Sequence, residues 1–271
     1  METKRKIDFK QARDFGATVN VTFEFIRENF KNLFLSLLLI AGPVAVLLGI
    51  LNSFNLLHLT GGAMYERAAL NYLLMFFLFQ MVIGAVYGYI NLYLDSDIEN
   101  ITPTDVWEEV KKNFGKSAMT LLLGSIWVLL GTIILILPGV YLMVIFSIIF
   151  AVRYRENITF SDAFNRCSDL MKGYWWKTFG LLFVFGLLQV FFSYILQAPM
   201  LLLIISRVIG QGQENSFFST FFLLITTIIG TFSYIFYSMF CIGMSFHYYS
   251  LVEKKEAAGL LEKIENMQEQ A

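Results

Sequence analysis

The chain has 271 residues, of which 57% are hydrophobic and only 15% are charged. Soluble domains carry about 25% charged residues, so this composition indicates a membrane protein. The net charge of −1 provides no field to attract nucleic acid. Two cysteines and two histidines, each pair far apart in sequence, predict no disulfide framework, no metal site and no cofactor.

Five stretches without a charged residue are long enough to cross a bilayer, which takes about 20 apolar residues for a helix. The third is too long for one helix, and Pro138-Gly139 inside it predicts two, at roughly 117–137 and 139–154. The second of these is short. We therefore predict an all-α polytopic protein with six transmembrane helices in three hairpins. The five stretches are 33–57, 68–94, 117–152, 178–206 and 215–252.

Basic residues are concentrated on one side of this predicted bundle. Of the 20 Lys and Arg residues, only Arg67 and Arg207 fall on the opposite side. Because positive residues stay in the cytoplasm, both termini are predicted to be cytoplasmic. We predict no signal peptide, since the charged segment 1–32 precedes the first apolar stretch.

The tetrapeptide Glu-Asn-Ile-Thr occurs twice, each time before a long apolar run. Each copy predicts the start of a cytoplasmic helix, because threonine is a good N-cap and an aspartate three residues later can bond back to it. The pairs are Thr102 with Asp105 and Thr159 with Asp162. In the N-terminal segment, Asp8 predicts a third helix start.

Apolar residues recur at helical spacing after each start, so each predicted cytoplasmic helix is amphipathic. We interpret residues 1–250 as one integral membrane domain of three units, each an amphipathic helix followed by a spanning hairpin. The unit limits are about 7–94, 99–154 and 156–250. The alternative is that any good cytoplasmic helix start has this pattern. Residues 251–271 are predicted to form a charged helical tail.

Residues 163–188 read AFNRCSDLMKGYWWKTFGLLFVFGLL, in which Leu-x-Lys-Gly and aromatic residues lead into an apolar helix. This stretch resembles a large group of bacterial membrane proteins. The group includes the membrane domain found with some glycerophosphodiester phosphodiesterases and the YciC-like proteins of unknown function. The preceding Leu-Pro-Gly-Val-Tyr, residues 137–141, is similar too. The resemblance implies a six-helix domain without catalytic residues, because the phosphodiesterase activity belongs to a separate soluble domain.

Groups suited to catalysis are scarce in the sequence. No predicted span holds an Asp, Glu, Lys or Arg in its middle, and charges inside a membrane are usually functional. His247 is interpreted as an interfacial residue rather than a catalytic base, and the Glu108-Glu109 pair as part of a solvated face. We therefore predict that the chain is not an enzyme.

Neutral polar side chains at helical spacing mark the second, fifth and sixth predicted spans. They predict either helix packing or a polar groove between these helices that holds a headgroup or solute. The candidate groove residues are Gln80, Asn91, Gln189, Ser193 and Gln197.

Basic and aromatic residues cluster between the fourth and fifth predicted spans. Such residues at the membrane surface suit anionic lipid headgroups, and the alternative is ordinary anchoring of a cytoplasmic loop. The candidate contact residues are Arg153, Arg155, Arg166, Lys172, Trp175, Trp176 and Lys177.

These patterns together predict a non-enzymatic integral protein of the bacterial cytoplasmic membrane. It would act as a partner-binding subunit or scaffold, or in the organisation of membrane lipid. Its predicted partners are membrane lipids and a protein at the cytoplasmic face. The alternative function is a transporter or lipid-handling protein that uses the polar groove between helices two, five and six.

Overall fold

In the computed structural model, the secondary-structure elements of the described residues are all helical. The structure describes residues 6–57, 64–95, 101–209 and 217–256. Six helical stretches among them are long and apolar enough to cross a membrane, which agrees with the six helices predicted from the sequence. Their bounds are Phe15–Ser53, Glu66–Asp95, Pro103–Ile134, Ile136–Glu156, Trp175–Pro199 and Phe221–Glu256.

Nine α-helices and one 3-10 helix follow one another along the described part of the chain. The 3-10 helix, Phe232–Phe236, interrupts the last apolar stretch between α8 and α9. The helices are α1 (Phe15–Leu57), α2 (Met64–Asp95), α3 (Pro103–Ile134), α4 (Ile136–Phe146), α5 (Ile149–Glu156), α6 (Phe160–Met171), α7 (Trp175–Ile209), α8 (Phe217–Thr231) and α9 (Tyr237–Glu256).

Both predicted threonine caps are confirmed. At the start of α3, the Thr102 N–H donates to Asp105 Oδ2 at 2.9 Å, and the Asp105 N–H lies 3.4 Å from Thr102 Oγ1. At the start of α6, Thr159 Oγ1 accepts from the Asp162 N–H at 3.3 Å. Each threonine–aspartate pair therefore satisfies backbone donors that a helix start would leave unpaired. Residues 99 and 100 of the first tetrapeptide lie outside the described residues.

The predicted helix start at Asp8 is wrong. Asp8 Oδ1 accepts from the Lys10 N–H at 2.9 Å within a bend, and α1 begins only at Phe15. The cap is Asp14, whose Oδ1 accepts from the Ala17 N–H at 2.7 Å. The amphipathic segments at the N-terminus and after Thr102 are continuous with the apolar parts of α1 and α3.

The non-helical segment before α1 is held by buried side chains. Phe9 is 1% exposed and stacks on Phe246 with ring centroids 4.0 Å apart. Arg13 donates back to the carbonyl oxygens of Asp8, Phe9 and Gln11. These contacts replace the helical hydrogen bonds that the pattern around Asp8 predicts.

The break between the third and fourth spans also differs from the prediction at Pro138-Gly139. α3 ends at Ile134 and α4 begins at Ile136, so only Leu135 lies between them. Pro138 is the third residue of α4, within the first turn, where a missing N–H costs no intrahelical hydrogen bond. A second turn, at residues 147–148, separates α4 from α5.

The chain divides into two compact units that each draw on separated parts of the sequence. Unit 1 comprises the described residues of 6–30, 113–185 and 239–256, and unit 2 those of 31–112 and 186–238. Within unit 1, α6 packs against α5 and α4. Of the predicted tail, residues 251–256 continue α9, and 257–271 lie outside the described residues. The three sequential units remain a prediction.

Candidate functional site

The basic and aromatic candidates all lie in unit 1, but their contacts separate them into different environments. Arg166 lies half-buried on α6 between two carboxylates. Its Nε donates to Glu156 at 3.0 and 3.1 Å, and its Nη2 donates to Glu256 Oε2 at 3.0 Å. Tyr248 donates its hydroxyl to the same Glu156 at 2.8 Å. The hydrogen bonds to Glu256 and Glu156 raise the pKa of Arg166, which is therefore committed to this network.

Lys172, at the end of α6, pairs with Asp169 at 2.7 Å, and both side chains are exposed. Their hydrogen bond raises the pKa of Lys172 and lowers that of Asp169. Exposed pairs of this kind contribute little to stability. The positive charge of Lys172 is therefore already paired with the carboxylate of Asp169. Arg155 is exposed on α5.

A single backbone carbonyl, that of Arg13, gathers several donors. Lys177 Nζ donates to it at 2.7 Å, Lys254 Nζ at 2.8 Å and Ser250 Oγ at 3.1 Å. The Arg13 N–H in turn donates to Ser250 Oγ at 2.9 Å. Lys177 therefore anchors the segment before α1.

The Arg13 side chain is itself buried in this region. Its guanidinium lies 5.3 Å from the centroid of the Phe246 ring. Burial lowers the pKa of Arg13, and the neighbouring Asp8 carboxylate opposes that shift. The sequence did not predict the hydrogen bonds at the Arg13 backbone. Arg13 and Ser250 are 237 positions apart, and no local pattern links them.

Arg153 is buried and, unlike Arg166 and Lys172, has no carboxylate partner among the described residues. It is 8% exposed, and its Nη1 donates to Thr120 Oγ1 at 2.6 Å and to the Lys116 carbonyl at 3.2 Å. Its Nε is buried without a hydrogen-bond partner. Lys116, which is exposed, bonds to the Asn157 side chain. The Lys116 ammonium group is thus held four residues after Arg153, at the residue that follows α5.

The tryptophans form an aromatic row at the start of α7. Trp175 stacks on Tyr141 of α4 at 6.0 Å and on Phe179 at 5.5 Å. Trp176 meets Trp175 edge-on at 4.8 Å and is 78% exposed. Rings of this kind are enriched at membrane–water interfaces. We call Tyr141, Trp175, Trp176 and Phe179 the aromatic row.

His247, which its tyrosine neighbours predict to lie at the membrane interface, is buried by other side chains of unit 1. Its Nε2 lies 2.8 Å from Thr178 Oγ1, and its Nδ1 is buried without a hydrogen-bond partner. The two cysteines, Cys167 and Cys241, are buried free thiols. Burial raises the pKa of Cys167, so its thiol is poorly suited to act as a nucleophile.

The groove candidates lie in unit 2. Gln197 Nε2 donates to Ser233 Oγ at 3.3 Å, beside the 3-10 helix. Gln80 is buried, whereas Asn91, Gln189 and Ser193 are half-buried. The described contacts thus join Gln197 with a hydroxyl that was not among the candidates.

Other members of the polar stripe on the last apolar stretch bond to backbone carbonyls. Thr227 donates to Leu223 at 2.6 Å in its own helix. Thr231 donates to Ala45 of α1 at 2.8 Å, which joins two helices of unit 2. These contacts favour the packing interpretation of the stripe.

No group of three potential metal-ligating side chains occurs among the described residues. Comparison of the chain with protein-family models gives no match, and comparisons with curated proteins and with solved structures give none either. The resemblance to the bacterial membrane-domain group therefore stays a prediction.

Proposed function

We propose that the chain is a non-enzymatic integral protein of the bacterial cytoplasmic membrane that binds and organises anionic lipid through unit 1. Both termini lie in the cytoplasm, as the distribution of Lys and Arg predicts. The observation that carries the proposal is the buried Arg153 guanidinium without a carboxylate among the described residues.

The ligand chemistry follows from the charge. A buried cation without a counter-ion is costly, and an arginine fork matches the oxygens of a phosphate. Thr120 and the Lys116 carbonyl fix Nη1, so the guanidinium is preoriented. Lys116, whose ammonium group is bound by Asn157 at the end of α5, supplies a second positive charge. A lipid phosphodiester at the membrane surface provides the missing anion.

Three of the other four basic candidates support this choice because protein groups already bind them. Arg166 is held by Glu156 and Glu256, Lys172 by Asp169, and Lys177 by the Arg13 carbonyl. The exposed Trp176 provides an interfacial anchor in the same unit.

Replacement of Arg153 is expected to remove a stabilising effect of anionic lipid. In nanodiscs, adding phosphatidylglycerol to phosphatidylcholine should stabilise the wild-type protein by about 2 kcal/mol, the scale of hydrogen bonds to a charged group. For a chain of this size, that is on the order of 5 °C in the unfolding midpoint. Arg153→Gln should lose most of this increment, as measured by thermal unfolding in each lipid mixture.

The matched control is Arg27→Gln, which removes the same charge from an exposed arginine of unit 1. It should keep the increment. An equal loss in both variants would assign the effect to net charge and contradict a site at Arg153. Turnover of any substrate by the purified protein alone would contradict the non-enzymatic role. Co-purification of a protein with no retained lipid would instead favour the scaffold role.

A transporter is the second candidate function, favoured by the 3-10 helix inside an apolar stretch. Irregular backbone at membrane depth is tolerated where it is buried in protein or lines a cavity, and such turns often mark functional sites. Gln197 and Ser233 place polar groups beside this helix.

Replacing Gln80, Gln189 and Gln197 together with leucine separates these functions. If the amides only pack helices, each change should cost about 0.6–2 kcal/mol of stability. The triple variant should then still complement a strain that lacks the gene. Failure to complement, by a variant that accumulates in the membrane like wild type, would favour transport.

A further inference from the structure

The turn between α3 and α4 is unusual because it is both exposed and entirely apolar. It consists of Leu135 flanked by Ile133, Ile134, Ile136 and Leu137, each of which is between 65% and 80% exposed. The connections of the other two predicted hairpins, 58–67 and 206–215, contain histidine, arginine, glutamate and glutamine. A turn that emerges into water is expected to have such polar residues, and this one has none.

Contacts within unit 1 limit how deep this turn can lie. Tyr141, six residues after Leu135, stacks on Trp175 at the start of α7. Tyr174 is the residue before Trp175, and its ring centroid lies 5.5 Å from the ammonium group of Lys254, near the end of α9. Tyr141 is therefore at the end of unit 1 where α7 begins and α9 ends.

The distance from Tyr141 to the α3–α4 turn is too short for this turn to reach the opposite side of the membrane. Six helical residues rise about 9 Å, so the turn at Leu135 lies only about that far from Tyr141 along α4. A helix that starts at Trp175 needs about 30 Å to cross the hydrocarbon. A second contact also places α4 near the side of the termini. Phe146 of α4 stacks on Phe160 at the start of α6, the predicted cytoplasmic helix, with ring centroids 5.8 Å apart.

Part of the backbone at the turn is hydrogen-bonded within the hairpin, as an apolar environment requires. The Leu135 N–H donates to the Gly131 carbonyl at 3.1 Å, and the Gly139 N–H donates to the Leu135 carbonyl at 3.4 Å. Pro138 has no N–H to satisfy. Gly131 and Gly139 let the helices approach closely, with 3.2 Å from a Cβ built on Gly131 to the Gly139 Cα. Hydrocarbon requires that backbone groups be satisfied in this way.

We propose that α3 and α4 form a re-entrant hairpin, which enters the membrane from the side that holds the termini and turns back within the hydrocarbon. The occupant of its exposed tip is the acyl chains of the lipid, because a protein-binding surface would have a polar rim and residues 133–140 have none. This inference rests on the proposed membrane location. The apolar tip then lies at the end of α3, the helix that also supplies the Lys116 carbonyl and the Thr120 hydroxyl bound by Arg153.

Cysteine accessibility tests the proposal in a background where Cys167→Ser and Cys241→Ala remove the native thiols. Single cysteines are placed at the tip, Leu135→Cys and Leu137→Cys, and at two controls. Lys172→Cys reports the side of the termini, and Glu66→Cys reports the opposite side. A membrane-impermeant maleimide is added to sealed vesicles of each orientation, and labelling is compared with that after denaturation in SDS.

Each control should label from its own side only, and neither tip cysteine should label from either side. A spin label at the tip should be relaxed by oxygen but not by a water-soluble nickel chelate. Its depth should lie in the leaflet on the side of the termini.

Labelling of the tip from the Glu66→Cys side, or a depth in the opposite leaflet, would overturn the re-entrant hairpin and leave the membrane location intact. Labelling of the tip from the Lys172→Cys side, with release of the protein by alkaline carbonate, would overturn the membrane location itself. The two tip positions guard against local misfolding of one variant.

Discussion

Replacing Phe9 with alanine is expected to lower the free energy of unfolding by about 3–5 kcal/mol, the cost of deleting a buried aromatic ring. Phe9 is 1% exposed, stacks on Phe246 and meets Phe25 and Tyr249 edge-on, with centroids 5.5 Å away in each case. The ring holds the segment before α1 against α9. Unfolding in detergent by SDS titration, followed by tryptophan fluorescence, measures the loss.

The control for this variant is Phe23→Ala, which removes the same group from a side chain of α1 that is 40% exposed. It should cost much less than Phe9→Ala. Equal costs for the two variants would contradict the burial of Phe9 in unit 1. Since Arg13 follows Phe9 in the same segment, loss of this anchor should also release the carbonyl that binds Lys177 and Lys254.

Replacing Gly139 with alanine is expected to cost about 1–3 kcal/mol, because an added methyl group would overpack the α3–α4 contact. A Cβ at this position would lie 2.8 Å from the Cα of Thr132, which is backbone and cannot move aside. The same SDS titration measures the effect. The helices would have to separate at the turn, so tip cysteines should also change their accessibility.

Gly115→Ala in α3 is the matched control. A Cβ there meets nothing within 4 Å, so the alanine should stabilise the protein by about 0.5–1 kcal/mol through its better helix propensity. Opposite signs for the two glycines are the expected result. A stabilising Gly139→Ala would contradict the close approach of α3 and α4.

Features that depend on nearby residues could be predicted from the sequence. Charge-free stretches located the spanning candidates, because the cost of burying charge in a membrane acts on every residue of a span. Dividing the third stretch at Pro138-Gly139 then gave the number six. The caps at Thr102 and Thr159 could be predicted because both partners lie within one turn. The position of the α3–α4 break could not, since proline is tolerated within the first turn of a helix.

Features that depend on distant partners could not be predicted. Phe9 ends the helical pattern around Asp8 because its stacking partner, Phe246, is at the other end of the chain. The basic cluster could be located, but not its pairing: Arg166 and Glu256 are 90 positions apart. Only the folded arrangement distinguishes Arg153, which lacks a carboxylate among the described residues, from neighbours that have one.

The most direct test of the account is native mass spectrometry of the protein extracted from its own membrane with minimal delipidation. We expect wild type and Arg27→Gln to retain an anionic phospholipid at fixed stoichiometry, and Arg153→Gln to lose it. Retention of the same lipid by Arg153→Gln, or a wild-type protein that carries no phospholipid, would contradict lipid binding at Arg153.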